Sequence, residues 1–578
     1  MILVVCVCIA AAVLGLAGYG LWIYWHSDHP EEATVLWESP PPPAVGSPKQ
    51  RRESPASPEA PRISRFANIE APSQVLPEQE FPVEVSLTRE KRSNETALTG
   101  LGEMARLDSR GALDLDCPEP CVLTAVLFAP GFDITSGSNR AQLRVEQEAD
   151  GEPAHFTLRG RKGLDGVDSR LSAQFWRKGA FVASIRRDIA IGKLKKPAAE
   201  PPKPPPTNTT VVLQPRPTAD LTVRWEEKDV GSQHFCLLTV DSPALSSLAS
   251  DLCTPGEQIE KFLAQRYNGS LRSLLRGVIP VGDAAPPPSP QQTISQLRGL
   301  GRELYQQFAT RNFRSALDKL RAGPAANGGF ELRTIQINTN NPALPWELMV
   351  PCADDSCGFL GVDYQMARWH ISDGTADLAP QTIPYKTLVA IAPHYQGASY
   401  LPNQSKELQA LQVVPMYRAS GGKLDDFRRA LESADNGIVH FAGHGRSDNG
   451  YQIILEDASA DPTMIRGWNR GKGSRLYFWN ACDSGQEKTV AGFVDGWAPA
   501  LLDNGAGGFI GGMWPLQDAS AAQFAGEFYL SLEHGLNGGP AVPVAQLMQA
   551  GRRQFLKTGD PTFLAYVFYG DVRLLIKP

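Results

Sequence analysis

The sequence predicts a multidomain chain with an N-terminal transmembrane helix, β-sandwich-like modules and a C-terminal α/β domain built on a mostly parallel sheet. Three observations lead to this fold class: an uncharged apolar segment at residues 2–25, two Pro-rich stretches, and strand and helix patterns that alternate after about residue 329. At 578 residues, the chain is also too long for one hydrophobic core. The predicted boundaries are a transmembrane anchor at 1–25, a Pro-rich linker at 26–62, a β-sandwich-like domain at 63–192, a Pro-rich linker at 193–208, a strand pair and helical pre-domain at 209–328, and the α/β domain at 329–578.

Residues 2–25 carry no charged side chain, and about 20 apolar residues are enough for a helix to cross a bilayer. Tyr19, Trp22, Tyr24 and Trp25 gather at the C-terminal end, where aromatic rings favour the headgroup region. A cleaved signal peptide is the alternative, but no Lys or Arg precedes the apolar run. We therefore expect a single-pass membrane anchor. The acidic flank that follows it favours an extracytoplasmic location for the rest of the chain.

Two of the nine cysteines lie in the predicted anchor, and six others form pairs that are near in sequence. These pairs are Cys117 with Cys121, Cys236 with Cys253, and Cys352 with Cys357. Disulfides would suit a location outside the cytosol, and ordinary buried thiols are an equally open alternative. A zinc site is less favoured because no further His or Cys lies at ligand spacing. The pairing leaves Cys482 alone.

The region between the two Pro-rich stretches reads as short strands. FPVEVSL (81–87) alternates apolar and polar residues, and three similar runs follow with Gly, Pro, Asp and Asn between them. This pattern is typical of a β-sandwich, which more often presents surfaces than performs chemistry. We expect a module that either recognises a protein partner, which could be an activator, or acts as a spacer. A strand pair (LTVRW at 221–225 and FCLLTV at 235–240) and an amphipathic helix from about residue 294 come next.

The C-terminal region has an α/β pattern. TLVAIAPH (387–394), GIVHFAGHG (437–445) and RLYFWNACDSG (475–485) favour strands, and the periodic runs between them favour helices. Such alternation implies a mostly parallel sheet covered on both faces. GAGGFIGG (505–512) precedes a strand, whereas a dinucleotide-binding loop follows a strand. No cofactor is therefore expected. A net charge of −6 without a basic stripe gives no reason to expect a nucleic-acid partner.

Two of these strands end in residues that together suggest catalysis. His444 and Cys482 each follow an apolar strand, and the carboxyl ends of parallel strands meet at one edge of a sheet. A thiol is mostly protonated at neutral pH, and a nearby imidazole can accept its proton. The amides of Gly445 and Cys482 could then stabilise an oxyanion. Alone, a cysteine at a strand end is usually a small buried side chain. His440 and His444 do not suggest a metal site, because their spacing lies on a strand.

Several ordered motifs between about 330 and 576 resemble the CHAT domain family, whose members are related to caspases and separases. They are LPWELM (344–349), FLGVDYQMARW (359–369), VHFAGHG (439–445), YFWNACDSG (477–485), GGFIGGMWPLQDAS (507–520) and AYVFYGD (565–571). The resemblance implies a caspase-like fold and a cysteine endopeptidase that cleaves protein or peptide substrates through a Cys–His dyad. The tether would confine it to substrates near the membrane. The alternative is a non-catalytic caspase-fold scaffold or interaction protein.

The resemblance also implies roles for individual residues. His444 corresponds to the catalytic histidine and Cys482 to the nucleophile, whereas His440 corresponds to a structural position. The turn from Trp514 to Asp518 corresponds to the specificity pocket of separase-like relatives, where Asp518 would favour a basic residue before the cleaved bond. Asp483 is a second acidic residue beside the nucleophile and is assigned to the same pocket. Asp518 could equally cap the helix that begins near Ala519.

Overall fold

A computed structural model describes most of the chain beyond residue 61. The described residues are 62–92, 96–101, 105–107, 112–116, 121–192, 218–266, 289–324, 328–341, 344–371, 379–433, 435, 437–446, 451–468, 474–483, 492–514 and 516–578. The predicted anchor at 2–25 lies outside them, as do the predicted linkers, Arg62 excepted.

No helix in the described ranges is long and apolar enough to span a lipid bilayer. This finding overturns the fold class predicted with an N-terminal transmembrane helix, together with the predicted membrane localisation. The prediction was wrong because it took hydropathy and length, read from residues 2–25 alone, as sufficient for a spanning helix. The predicted membrane partner is not confirmed.

Two sheets form the N-terminal part of the described chain. Their strand orders are β5-β6-β1-β3-β10-β8 and β2-β12-β11-β7-β9, with β4 paired to β12. Alternate residues of β3 and β10, including Phe81, Val83 and Phe156, are buried between the sheets, as the period of two along a strand requires. The strands are β1 (Arg62–Glu70), β2 (Gln74–Val75), β3 (Glu80–Thr88), β4 (Ala97–Leu101), β5 (Ala105–Leu107), β6 (Leu113–Asp116), β7 (Cys121–Phe128), β8 (Phe132–Ile134), β9 (Arg140–Val145), β10 (Ala154–Gly160), β11 (Val167–Arg177) and β12 (Ala180–Ile191).

A larger sheet of 13 strands follows in the described residues, in the order β15-β14-β13-β16-β17-β26-β25-β24-β21-β19-β20, with β22 and β23 attached to β21. A separate pair joins β18 to β27. The strands are β13 (Leu221–Val230), β14 (Gln233–Asp241), β15 (Ala249–Leu252), β16 (Thr334–Thr339), β17 (Gln365–His370), β18 (Thr382–Pro384), β19 (Leu388–Ile391), β20 (Tyr417–Ser420), β21 (Ile438–Arg446), β22 (Gln452–Ile454), β23 (Ser459–Ala460), β24 (Leu476–Asp483), β25 (Gly508–Gly512), β26 (Tyr566–Tyr569) and β27 (Leu575–Lys577).

The large sheet is mixed, which corrects the predicted mostly parallel sheet. β13, β16, β17 and β26 run parallel to one another, and so do β25, β24, β21, β19 and β20. The two groups meet where β26 pairs antiparallel with β25. The carboxyl ends of the two groups therefore lie at opposite edges. Strand pattern along the sequence carries no information on this direction, because either direction buries the same apolar residues.

Helices cover both faces of the sheet, as successive side chains of β24 make clear. Phe478 contacts Phe528, whereas its neighbour Trp479 contacts Phe427 and Trp497, and successive strand residues point to opposite faces. The helices are α1 (Gly256–Arg266), α2 (Pro290–Phe308), α3 (Arg311–Arg321), α4 (Leu360–Asp363), α5 (Gln404–Leu411), α6 (Leu424–Glu432), α7 (Pro462–Gly467), α8 (Gly492–Leu502), α9 (Asp518–Leu536), α10 (Val544–Thr558) and α11 (Thr562–Ala565). Helix α9 thus lies on one face and α6 and α8 on the other.

The two-sheet part packs against β13 and β14. Val230, Phe235 and Leu237 are buried in the same apolar cluster as the core of the two sheets. The amide of Gly179, in the tight turn between β11 and β12, donates to Asp241 Oδ2 at 2.7 Å. The N-terminal part is therefore joined directly to the edge of the large sheet.

Glu347 of the LPWELM motif forms a buried ion pair with Arg368. Glu347 and Arg368 are each 1% exposed, and Arg368 Nε donates to Glu347 Oε1 at 3.0 Å. Burial alone raises the pKa of Glu347, but the Arg368 guanidinium, with Arg552 adding to its effect, holds that pKa below its usual value. Trp346 packs edge-on against Trp225 of β13, with ring centroids 5.7 Å apart. The motif therefore ties β13 and β17 to the core.

Two of the sequence-near cysteine pairs are disulfides, which settles for them the alternatives left open by spacing. Cys236 bonds to Cys253, and Cys352 bonds to Cys357. Cys121 is also disulfide-bonded. In the described part of the chain, no group of three or more His, Cys, Asp or Glu side chains could hold a metal ion.

Candidate active site

The two strands that carry His444 and Cys482 are neighbours in the sheet. β21 and β24 run parallel, and their register pairs His444 with Cys482 and Gly445 with Asp483. Their first residues, among them Ile438, Val439 and Phe478, are fully buried, and His444 follows near the carboxyl end of β21. Adjacent strands lie about 4.8 Å apart, so the two backbones bring a thiol-bearing and an imidazole-bearing residue side by side.

The imidazole of His444 is held in one orientation. Its Nε2 lies 2.7 Å from the carbonyl oxygen of Ser399, and a carbonyl can only accept, so Nε2 carries a hydrogen. In the neutral ring, Nδ1 is then an acceptor. This atom is buried and has no hydrogen-bond partner among the described residues. The ring therefore presents a proton acceptor that the described surroundings leave unused.

Tyr395 contacts His444 through its ring and through its hydroxyl group. The ring centroids of Tyr395 and His444 lie 4.6 Å apart. The Tyr395 hydroxyl accepts from the backbone N–H of His444 at 3.0 Å and donates to the Ile454 carbonyl at 2.7 Å. Tyr395 thus links β21 to the β22 strand that pairs with its end.

The segment 393–404, which supplies the Ser399 carbonyl, is fastened at several points. Gln404 Nε2 donates to the carbonyl oxygens of Pro393, at 3.0 Å, and Ala442, at 2.8 Å. Asn403 donates to Asp518 Oδ2 from its backbone N–H at 2.9 Å and from Nδ2 at 2.7 Å. The segment is therefore joined to both β21 and the start of α9.

His440 lies in a buried polar network that does not reach the strand ends. Its Nε2 lies 2.7 Å from Glu407 Oε1, and its Nδ1 lies 3.1 Å from the Tyr529 hydroxyl. Glu407 also accepts from Asn480 Nδ2 at 2.5 Å. Burial raises the pKa of Tyr529 well above its usual value, with Glu407 adding to the shift, so the phenol stays protonated. The network joins β21 and β24 to α5 and α9.

The remaining predicted site residues are only partly brought together. Asp518 begins α9, whose N-cap is Gln517, and its carboxylate accepts from Asn403 instead of capping its own helix. Trp514 is buried in the hydrophobic core. Gly445 lies between Asp483 and Ile453 of the two flanking strands. The side chains of Cys482 and Asp483 lie outside what the structure describes. The roles assigned to these residues stay predictions.

Sequence reasoning missed Tyr395, Ser399 and Asn403. Tyr395 follows the end of β19, which pairs with β21, so the rule that sites gather at the carboxyl ends of parallel strands could have found it. Ser399 acts through its backbone carbonyl, which has no signal in a sequence. Asn403 is recognisable only through its partner Asp518, more than 100 positions away.

Comparisons with known proteins agree with the motifs. Residues 342–559 match the family model of the CHAT domain. Similar solved structures include the separase–securin complex of Saccharomyces cerevisiae, at 11% identity with a TM-score of 0.38, where the likeness covers 62% of this chain and 30% of that chain. This chain therefore spans less than a third of that separase. The comparison with curated proteins found no match.

Two further similar structures are cysteine proteinases. One is the Arg-specific cysteine proteinase gingipain R, at 13% identity with a TM-score of 0.32, covering 54% of this chain and 76% of that chain. The other contains the pro- and mature domains of RgpB from Porphyromonas gingivalis, at 15% identity with a TM-score of 0.33, covering 55% of this chain and 77% of that chain. The resemblance first drawn from the ordered motifs is confirmed by the family match, in which residues 342–559 of this chain match the CHAT domain model.

Proposed function

We propose that this protein is a cysteine endopeptidase in which Cys482 is the nucleophile and His444 the general base. The observation that carries the proposal is the imidazole of His444. It stands opposite Cys482 in the strand register, donates from Nε2 to Ser399, and keeps a buried Nδ1 without a partner among the described residues. Alternation along two parallel strands in register predicts that the thiol and the imidazole emerge on the same face of the sheet.

The chemistry follows from these groups. Nδ1 of His444 takes the thiol proton as the Cys482 sulfur attacks the scissile carbonyl, and the resulting oxyanion accepts hydrogen bonds from backbone amides near the strand ends. The imidazolium then gives its proton to the departing amine, which leaves a thioester. Water attacks the thioester, His444 takes the proton of that water and returns it to the sulfur, and the carboxylic acid is released.

Partner recognition is the finer part of the proposal. We assign it to the two-sheet part at 62–192, which packs through Phe235 and Leu237 on β14, a strand of the same sheet that holds β21 and β24. An activating protein bound there would act on the edge of that sheet. Such a partner should raise kcat of the wild-type chain and should bind the Cys482→Ala variant equally well.

Activity of the full chain on a peptide library tests the proposal. Cys482→Ala and His444→Ala should each lower kcat/KM by at least about 1,000-fold, as removal of a nucleophile or base does in related chemistry. His155→Ala is the matched control, because His155 lies in β10 with a side chain 72% exposed, and it should leave activity unchanged.

A scaffold without catalysis predicts a different set of results. The wild-type chain would then hydrolyse no peptide, and iodoacetamide would modify Cys482 with the pH dependence of an ordinary thiol, whose pKa is about 8.5. Hydrolysis that survives in Cys482→Ala would also remove the proposed mechanism.

A further inference from the structure

Asp518 is engaged by groups of the protein itself. Its Oδ2 accepts from both the backbone N–H and the side-chain amide of Asn403, at 2.9 and 2.7 Å. Lys406 Nζ donates to the other amide atom, Asn403 Oδ1, at 3.1 Å, which fixes the orientation of the Asn403 amide. Hydrogen bonds to an ionised carboxylate are about twice as strong as neutral ones. Asp518 and Asn403 are therefore firmly joined.

Asn403 lies four positions after Ser399, whose carbonyl oxygen accepts from His444 Nε2. Ser399 ends the 3-10 turn Gly397–Ser399, in which Gly397 takes a φ of +61° and the amide of Tyr400 bonds back to the Gly397 carbonyl. Asn403 also closes the first turn of α5, because its carbonyl accepts from the amide of Glu407. A shift of Asn403 would therefore be passed to Ser399 along only a few peptide units.

A second set of hydrogen bonds lies further along α5. Glu407 holds the helix to His440 and Asn480, one turn away from the segment that carries Ser399. Gln404 holds the start of the helix to Ala442 on β21, and its side-chain amide donates to the carbonyl oxygens of Pro393 and Ala442. Asp518 thus joins the histidine-supporting segment to the helix after the Trp514 turn by two direct hydrogen bonds.

We propose that Asp518 is a positioning residue for His444. It acts through Asn403 and Ser399, and the Asp518–Asn403 pair keeps the Ser399 carbonyl where it orients the imidazole. The proposal rests on the proposed function, since it assigns the role of Asp518 within the same site. It differs from a role in substrate selection, because a carboxylate that only bound a basic side chain of the substrate would leave His444 unaffected.

Alkylation of Cys482 with iodoacetamide tests the proposal without a substrate side chain. The rate on the full chain is followed against pH by mass spectrometry of the peptide that contains Cys482. The wild-type profile should show a midpoint well below the ordinary thiol value of about 8.5. Asp518→Ala and Asn403→Ala should each raise that midpoint by about 1 pH unit, which makes alkylation about 10-fold slower below it. The double variant should show the same shift as either single variant, because both remove one interaction.

Asp251→Asn is the matched control. Asp251 also accepts from the backbone N–H and the side-chain amide of one asparagine, Asn312, at 2.9 and 2.7 Å, near the start of α3. The Asp251→Asn variant should leave the midpoint of Cys482 alkylation unchanged. Asp518→Asn keeps an acceptor oxygen and should fall between the wild type and Asp518→Ala, which keeps the test informative if the alanine variant folds poorly.

Peptide kinetics provide the second measurement. With peptides that carry either a basic or an uncharged residue before the cleaved bond, Asn403→Ala and Asp518→Ala should lower kcat on both kinds, by up to about 100-fold for a misplaced base. A rise in KM for basic peptides alone, with normal Cys482 alkylation in both variants, would overturn the positioning role while leaving the peptidase intact. An ordinary midpoint in the wild-type chain would instead remove the proposed function itself.

Discussion

Replacing Asp241 with asparagine should remove a defined part of the pH dependence of unfolding. Asp241 is 4% exposed at the junction between the two-sheet part and β14. Its carboxylate accepts from the amides of Gly179 and Ser242 at 2.7 and 2.9 Å, and no cation pairs with it among the described residues. Burial raises its pKa from an ordinary 3.8 to about 6, and the two amides only partly oppose burial.

The size and sign of the effect follow from this shift. Between its unfolded and folded pKa values, the folded chain binds the Asp241 proton more tightly than the unfolded chain does. The contribution of Asp241 to stability is therefore fully present below pH 3.8 and is lost as pH rises through about 6. The difference corresponds to a loss of about 3 kcal/mol over this window.

Urea unfolding of the full chain at several values between pH 4 and 7 measures the effect. Other carboxylates titrate in the same window, so the quantity of interest is the difference between wild type and Asp241→Asn. Of the full difference, about 2.4 kcal/mol falls between pH 4 and 7, and the wild type should lose this much more than the variant. Asp188→Asn is the control, because the Asp188 side chain is 67% exposed, and it should follow the wild type. Equal slopes in wild type and Asp241→Asn would refute the assignment of a raised pKa to this buried group.

Three further predictions concern stability. Glu347→Ala should lower the free energy of unfolding in urea by about 3–5 kcal/mol, because it leaves the fully buried Arg368 without its anion. The double variant Glu347→Leu with Arg368→Met should lower it much less, and an equal loss would contradict this account. Glu407→Ala should cost about 1–3 kcal/mol by leaving the Nε2 hydrogen of buried His440 unpaired, and an unchanged midpoint of thermal unfolding would argue against the network. Gly179→Ala should destabilise by at least about 1 kcal/mol, because its φ is +85° and a Cβ there would lie 2.6 Å from Pro243; wild-type stability in urea would show that the turn adapts.

Sequence reasoning succeeded where local pattern and physical constraint coincide. The mainly apolar runs before His444 and Cys482 became buried neighbouring strands, because consecutive apolar residues such as Leu476 to Trp479 must be covered on both faces of a sheet. The ordered motifs predicted the CHAT domain, which the family match confirms. The same reasoning failed for the membrane anchor. It also predicted a mostly parallel sheet and missed the antiparallel pairing of β26 with β25, because the apolar pattern of β26 is the same in either direction.

By itself, the sequence determined which residues are buried, which strand ends carry a thiol and an imidazole, and which family model the C-terminal region matches. These properties depend on residue types and on spacings within one element. The tertiary structure alone decided that the Ser399 carbonyl orients His444, that Asp518 pairs with Asn403, and that Asp241 meets the Gly179 turn. Each of these contacts joins residues that are far apart along the chain, and a backbone carbonyl or amide has the same chemistry in every residue, so only the packed fold can select it.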